Sequence, residues 1–289
     1  MKLLPIDKVD TISPQDFKQH FYQLRKPLII TGLAKKWPAY EKWDFDFIKQ
    51  KVGNVTVGVY NNIKSNSHTP VNKADGEMKF GDYLDLIQQG PVGLRIFLFN
   101  ILSHCPEMTE DFSYPEDLMK GYLKKYPMLF TGGEGSVTHM HFDMDLSNIF
   151  HTQFIGRKRT LLFDYEEGKK LYHLPFTVQS LVNFEKYYEA LDDGEYPALK
   201  LLQGYECILE RGDTLFMPAG CWHHMEYIES GLSLSLRAFD ESLAIKLKGL
   251  YNLFGMRNID MLMKRTIPDT WFRYKREKAF SNAEKVLQG

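Results

Sequence analysis

The sequence is poor in cysteine and lacks both a long hydrophobic run and an excess of one charge, and each absence excludes a class of protein. Its three cysteines, Cys105, Cys207 and Cys221, are odd in number and irregularly spaced, which argues against a disulfide framework or a zinc ribbon and for a reducing compartment. No run approaches the roughly 18 apolar residues of a membrane-spanning helix, and the first residues turn polar before a signal-peptide core develops. We therefore expect a soluble cytoplasmic protein.

The charge balance gives no reason to expect nucleic acid or a membrane as a partner. The net charge is -1, and 25% of the residues are charged. The last 49 residues depart from this balance, with ten Lys or Arg against five Asp or Glu. At 289 residues and 44% hydrophobic, the chain is long enough to bury one large core.

The first hundred residues predict a mixture of helices and strands. Ser13, Pro14 and Asp16 together are typical of a helix start, and we expect a short helix to about Leu24. The other elements expected here are strands at 27–32, 55–60 and 94–99 and helices at 45–52 and 80–89, with a polar loop at 61–76.

From about Met128 the pattern changes to short strands separated by Gly, Pro or Asp. The strand candidates are 128–130, 149–155, 159–163, 206–209, 214–217 and 232–238. This spacing predicts an antiparallel sandwich or barrel, interrupted by a polar, partly helical insertion at 176–191 outside it. After Asp240 the pattern is helical, with Leu243, Leu247, Leu250 and Phe254 on one face and a second helix through Trp271.

Two stretches concentrate the residues that could carry chemistry. In an extended chain, the side chains of His141 and Asp143 point to the same face, and His223 could join them. Two imidazoles and one carboxylate on one face of an octahedral ion leave three positions open, which suits Fe(II) binding of a bidentate co-substrate and O2. A His-x-Asp triplet alone is weak evidence, but Gly212-x5-Pro218-x-Gly220-x2-His223 is long and consistently spaced.

This second pattern resembles the second cupin motif. With Gly135-Ser136-Val137-Thr138-x2-His141-x-Asp143, the run 156–159 and the early segment 26–38, the chain resembles a cupin-like JmjC-type 2-oxoglutarate oxygenase, nearest to the asparaginyl hydroxylase subgroup. The resemblance implies a mainly β fold, a double-stranded β-helix or jelly roll, with N-terminal α/β elements and flanking helices. It predicts an oxygenase domain at 1–240, with its jelly-roll core at about 94–240, and a C-terminal helical extension at 241–289.

The same resemblance implies the site residues and the cofactors. His141, Asp143 and His223 would bind Fe(II), and His223 is preferred over His224 because it directly follows Trp222. Thr138 and Lys158 would hold the co-substrate 2-oxoglutarate, which reacts with O2 to give succinate and CO2.

Three further positions bear on the co-substrate. In the family that the chain resembles, an asparagine between the Asp of the first motif and the Gly of the later run binds the co-substrate. The family spacing counted forward from Asp143 reaches Ser147, and counted back from Gly156 it reaches Ile149, so the segment carries one extra residue. The resemblance therefore assigns the co-substrate asparagine to Asn148, which lies between them. Phe97 falls where the asparaginyl hydroxylase has a tyrosine. Arg237 falls where that enzyme has an asparagine, and its guanidinium could bind a carboxylate.

Two alternatives remain open at this point. His139, His141 and His223 could form a three-histidine cupin site that uses no 2-oxoglutarate, as in another dioxygenase or an isomerase. The loss of a tyrosine at Phe97 and the presence of Arg237 also permit a binding scaffold without turnover. The primary substrate is expected to be a protein side chain or a small molecule, and a modified tRNA base is also compatible with the sequence. The C-terminal helices are expected to form a homodimer.

Overall fold

The N-terminal part of the chain contains short strands and helices that surround the later sheets. The computed structural model describes residues 1–62, 74–186 and 194–288. The elements up to residue 100 are β1 (Lys2–Pro5), β2 (Lys8–Val9), α1 (Pro14–Phe17), β3 (Leu28–Ile30), α2 (Pro38–Lys42), α3 (Phe45–Val52), β4 (Thr56–Asn61), β5 (Gly76–Lys79), α4 (Phe80–Gln88) and β6 (Leu94–Asn100). The mixed α/β character predicted for this part is therefore present.

The first helix begins as its sequence predicts. The hydroxyl of Ser13 accepts a hydrogen bond from the backbone N–H of Asp16, which satisfies one of the free donors of the first turn. A wider helical turn, Lys18–Tyr22, continues it. The loop predicted at 61–76 lies mostly at 63–73, outside the described residues, while its ends belong to β4 and β5.

The second part of the chain supplies eight strands that are divided equally between two sheets. They are β7 (Met128–Gly132), β8 (Val137–His141), β9 (Asn148–Ile155), β10 (Lys158–Phe163), β11 (Gln203–Leu209), β12 (Thr214–Met217), β13 (Trp222–Tyr227) and β14 (Gly231–Ala238). Within the described residues one sheet has the order β1-β11-β10-β13-β8, and the other contains β12-β9-β14-β7. This antiparallel winding is a double-stranded β-helix, as the resemblance implied.

The two sheets bury an apolar layer between them. Ile149 and Leu215 from one sheet pack with Leu162 and Met225 from the other. Larger clusters lie on the outer faces, where helices and loops cover the sheets, and they bury Trp43 and Trp222 almost completely. The barrel interior is therefore apolar over much of its length, and polar side chains inside it need partners.

The strands β8 and β13 were not among the strand candidates, although they carry the predicted ligands. Their sequences, VTHMH and WHHMEY, mix histidines with apolar residues and lack the β-branched runs that made the other strands recognisable.

The insertion at 176–191 differs from its prediction, because its described part is largely buried rather than polar. Val178, Val182 and Phe184 belong to an apolar cluster with Trp222, and the backbone N–H of Phe142 donates to the carbonyl of Val178. Within the described residues 176–186 the only helical segment is the short turn Phe184–Lys186, and residues 187–193 lie outside the described part.

Three helices follow the last strand: α5 (Leu243–Leu250), α6 (Arg257–Thr266) and α7 (Pro268–Gln288), with a wide turn at Tyr251–Met256 joining the first two. Helix α7 packs through Ala279 and Ala283 on the cluster that contains Trp222. The apolar stripe predicted on α5 faces outward, and Leu243 and Phe254 are 69% and 68% exposed. No helix within the described residues is long and apolar enough to cross a membrane.

Candidate metal centre

The two sequence stretches meet at one end of the barrel. The metal-binding atoms of His141, Asp143 and His223 all lie within 4.8 Å of one another, and this is the only such group of His, Cys, Asp or Glu residues within the described part of the chain. The rings of His141 and His223 are 4.2 Å apart because the two residues are cross-strand partners in β8 and β13. His224 points to the opposite face and lies against Phe184.

A β-bulge in β8 puts Thr138 on the same face as His141. His141 pairs with His223, but Thr138 pairs with Met225, so three residue steps on β8 match two on β13. Without the bulge, residues three apart on a strand would face opposite sides. The bulge therefore brings a predicted co-substrate residue and a predicted ligand to the same face of the sheet.

The hydrogen bonds of both imidazoles leave a free nitrogen for a metal. Nδ1 of His141 lies 2.8 Å from the carbonyl oxygen of His139, and Nδ1 of His223 lies 3.1 Å from that of Cys221. A carbonyl oxygen only accepts, so Nδ1 is the protonated nitrogen in each ring and Nε2 keeps its lone pair. Burial and the neighbouring His223 lower the pKa of His141 to about 3, so this imidazole is neutral at pH 7.

The carboxylate of the group is held by an arginine. Burial alone would raise the pKa of Asp143, but the charge of Arg237 and the two imidazoles lower it to about 2. Nη2 of Arg237 lies 3.3 Å from Oδ1 of Asp143 and 2.6 Å from Oδ1 of Asp145. Two imidazoles and one carboxylate are the donor set that suits Fe(II), so the residues present fit this ion.

A second polar group, deeper between the sheets, surrounds Lys158. The Nζ atom of this fully buried lysine lies 2.7 Å from the hydroxyl of Ser233 and 3.0 Å from Nε2 of His151, and 4.3 Å from the ring centre of Tyr227. No carboxylate pairs with it within the described residues, and burial lowers its pKa to about 7. A buried ammonium with only neutral partners is suited to bind an anion.

Other predicted residues lie apart from these two groups. Both ends of the side-chain amide of Asn148 have partners within the fold. Its Nδ2 donates to the carboxylate of Asp240, and its Oδ1 accepts from the backbone N–H of Ala219. Its neighbour Ile149 faces the interior instead. The ring of Phe97 packs on Tyr60, at 4.3 Å between centres. The co-substrate roles of Asn148 and Arg237 therefore stay predictions.

His139, the alternative ligand, is not part of the metal group. Its Nε2 lies 2.8 Å from the carbonyl oxygen of Asn62, at the end of β4. It sits within the bulge of β8 and does not share the cross-strand pairing that joins His141 to His223. The structure therefore gives no support to a three-histidine site.

Two residues of the site, Asp145 and His151, are not among the candidates that the sequence motifs name. Asp145 completes the ion pair of Arg237, and His151 contacts Lys158. The signal for His151 was available, because β9 is buried along nearly its whole length and yet carries His151 and Gln153 on the face of Ile149. Polar side chains at alternate positions of a buried strand require partners inside the fold.

Comparisons with known proteins agree with this geometry. The family model described as a cupin-like domain matches residues 14–241. The chain is 26% identical to lysine-specific demethylase 8 of Xenopus tropicalis over 237 residues, which are 80% of this chain and 52% of the relative. It is 27% identical to lysine-specific demethylase JMJ21 of Arabidopsis thaliana over 253 residues, 80% of this chain and 25% of that protein.

A third relative is named for a different reaction. The chain is 25% identical over 259 residues to the human tRNA wybutosine-synthesizing protein 5, covering 81% of this chain and 77% of that protein. The chain thus spans about half or less of the two demethylases, but most of this relative.

Proposed function

The chain belongs to the cupin-like domain family, and from this membership we propose that it is a JmjC-type Fe(II)- and 2-oxoglutarate-dependent oxygenase. The cofactors of this class are Fe(II), 2-oxoglutarate and O2, and the group formed by His141, Asp143 and His223 supports the proposal most directly. When bound, the iron supplies the activation of O2 that oxidises 2-oxoglutarate to succinate and CO2 and inserts one oxygen into a substrate C–H bond.

The residues of this chain contribute binding, orientation and charge. The carbonyl groups of His139 and Cys221 fix the ring orientation of His141 and His223, and Arg237 keeps Asp143 ionised. Lys158 and Thr138 would bind the distal carboxylate of 2-oxoglutarate. Arg237 would bind a second carboxylate, either of the co-substrate or of the substrate.

We propose hydroxylation of a protein side chain or a small molecule as the reaction on the primary substrate. The names of the relatives, lysine-specific demethylases and a tRNA wybutosine-synthesizing protein, are compatible with one shared first step, because hydroxylation of an N-methyl carbon leads to loss of formaldehyde. Each of these outcomes can be recognised by mass.

The experiment that tests the class is turnover of 2-oxoglutarate. Purified protein with Fe(II) should release succinate from 2-oxoglutarate, slowly without substrate and faster when cell extract supplies one. Asp143→Ala should abolish the release. Wild-type protein that neither binds nor consumes 2-oxoglutarate would refute the proposal. A mass gain of one oxygen, or a loss of one methyl group, in the extract would identify the substrate.

We also propose that the chain works in the cytoplasm as a homodimer. Leu243, Leu247, Leu250 and Phe254 leave an apolar face on α5 and the following turn, which we call the α5 face. An isologous contact would bury the same face in both copies at once. The three cysteines are unpaired, as a reducing compartment allows.

A further inference from the structure

Lys158 is held by partners that fix its direction. An ammonium group has three N–H donors and no acceptor. One donates to the hydroxyl of Ser233, which in turn donates to the side-chain carbonyl of Gln153. A second donates to Nε2 of His151. Two of the three donors are therefore satisfied by the protein, and one remains for an anion.

When Lys158 is charged, this arrangement fixes the tautomer of His151. Because a charged lysine can only donate, Nε2 of His151 must be the acceptor, and the proton of the ring is on Nδ1. Nδ1 lies 2.7 Å from the hydroxyl of Ser235, which can accept from it. Burial and the neighbouring Lys158 lower the pKa of His151 well below its ordinary value, so the ring stays neutral and keeps this lone pair.

We propose that His151 is a positioning residue for the distal carboxylate of the co-substrate, and that the Lys158–His151 pair takes up a proton when this carboxylate binds. The proposal rests on the proposed function and deepens it. By accepting one hydrogen bond, His151 directs the remaining N–H of Lys158 toward the incoming carboxylate. It also stabilises the ammonium form that the carboxylate requires.

The proton uptake follows from the surroundings of Lys158. The titratable or polar groups that face it are His151 and Gln153 from β9, Tyr227 from β13 and Ser233 from β14, and burial raises the pKa of Tyr227, so none is an anion at neutral pH. Without a ligand, burial lowers the pKa of Lys158 to about 7, so part of the population carries a neutral amine there at neutral pH. A bound carboxylate favours the charged form, and the missing proton comes from solvent.

The first test compares variants at position 151. Mn(II)-loaded protein would be titrated with 2-oxoglutarate by calorimetry, and KM and kcat would be measured with Fe(II). His151→Phe removes the acceptor, so we expect 2-oxoglutarate to bind about tenfold more weakly, with a matching rise in KM and little change in kcat. His151→Gln should recover most of the affinity, because its side-chain oxygen can accept at the position of Nε2. His104→Phe, at an exposed site, is the matched control.

The second test needs no variant. Calorimetry in phosphate and in Tris, whose ionisation enthalpies differ, gives the number of protons taken up when 2-oxoglutarate binds. We expect proton uptake to increase from pH 6 to pH 8 toward one proton per 2-oxoglutarate, and the affinity to fall by up to about tenfold per pH unit above the pKa of Lys158. In His151→Phe the affinity for 2-oxoglutarate should begin to fall at a lower pH than in wild-type protein.

The outcomes separate this inference from the function on which it rests. Wild-type protein that shows no 2-oxoglutarate binding at any pH refutes the proposed function. Wild-type protein that binds 2-oxoglutarate without proton uptake, or a folded His151→Phe variant with unchanged affinity and pH profile, refutes the role of His151 and leaves the function standing.

Discussion

The Nη2 atom of Arg237 lies 3.3 Å from Oδ1 of Asp143, so the carboxylate of the candidate metal centre is already paired with a cation. The same nitrogen lies 2.6 Å from Oδ1 of Asp145. Burial alone would lower the pKa of the Arg237 guanidinium, but the two carboxylates raise it above its ordinary value. Asp143, Asp145 and Arg237 together therefore carry one net negative charge. A bound divalent ion would convert this to one net positive charge, which would attract an anionic co-substrate.

Arg237→Gln should separate metal binding from co-substrate binding. The substitution removes a cation beside the metal, so affinity for Mn(II) should stay equal or rise. Affinity for 2-oxoglutarate should fall by about tenfold or more, because a charge-assisted hydrogen bond is lost. Calorimetric titration with each ligand measures both. A fall in Mn(II) affinity would mean instead that Arg237 acts by orienting Asp143. Arg159→Gln, which breaks an ion pair with Glu206, is the control.

The identity of the third ligand can be tested with metal alone. Asp143→Ala should lower Mn(II) affinity by at least about a hundredfold, whereas His139→Ala should leave it within about threefold. The reason is that His139 bonds to the backbone of Asn62 rather than joining the metal group. Metal retained in Asp143→Ala and lost in His139→Ala would support the three-histidine site.

Lys158→Met should stabilise the protein in the absence of ligand, more at pH 6 than at pH 9. The pKa of this lysine falls from 10.5 in the unfolded chain to about 7 in the fold, which penalises its charged form by roughly 5 kcal/mol. Between pH 7 and pH 10.5 the unfolded chain binds more protons than the folded chain, so the free energy of unfolding of wild-type protein rises with pH. The difference in stability between Lys158→Met and wild-type protein therefore becomes smaller. We expect Tm to rise by about 3 °C or more at pH 6.

Lys275→Met provides the matched contrast. Lys275 is also buried, but its Nζ lies 2.6 Å from Oδ1 of Asp260. Removing it weakens the pairing of a partly buried carboxylate, so Tm should fall. Thermal unfolding at both pH values distinguishes the two lysines, and a lower Tm for Lys158→Met at pH 6 would contradict the account of an uncompensated ammonium.

The α5 face predicts the assembly state. Leu247→Asp combined with Phe254→Asp should convert a dimer to a monomer, because two charges would have to be buried in each copy. Light scattering after size exclusion gives the mass, and wild-type protein that runs as a monomer would refute the homodimer. Ile208→Asp, on an exposed position of β11, should leave the mass unchanged.

The motif spacing selects His141, Asp143 and His223, and the structure brings these three residues together. The strands β8 and β13 were not predicted, because their histidines and a bulge obscure the alternation of polar and apolar residues. The position of the co-substrate asparagine was harder to predict, since the family spacing reaches Ser147 from one end of the segment and Ile149 from the other. The structure shows the reason: Asn148 lies on the outer face of β9, where it links Asp240 to the backbone of Ala219.

Partners inside the fold could not be predicted from local pattern. Asp145 and Arg237 are 92 positions apart, and the contact between them depends on how β14 lies beside β9. His151 and Lys158 are only seven apart, but they lie on strands of different sheets. Periodicity gives the face on which a side chain lies, whereas tertiary packing decides what it meets there.

The pairing of β8 with β13 also constrains the order of events during folding. His141 and His223 are 82 positions apart, and four other strands lie between their own in the chain. Closing so long a loop is slow relative to forming local hairpins, so the two imidazoles meet only when the winding of the sheets is nearly complete. A metal ion that needs all three ligands would therefore bind the finished barrel and stabilise it against unfolding, in contrast to small zinc domains that fold around their ion.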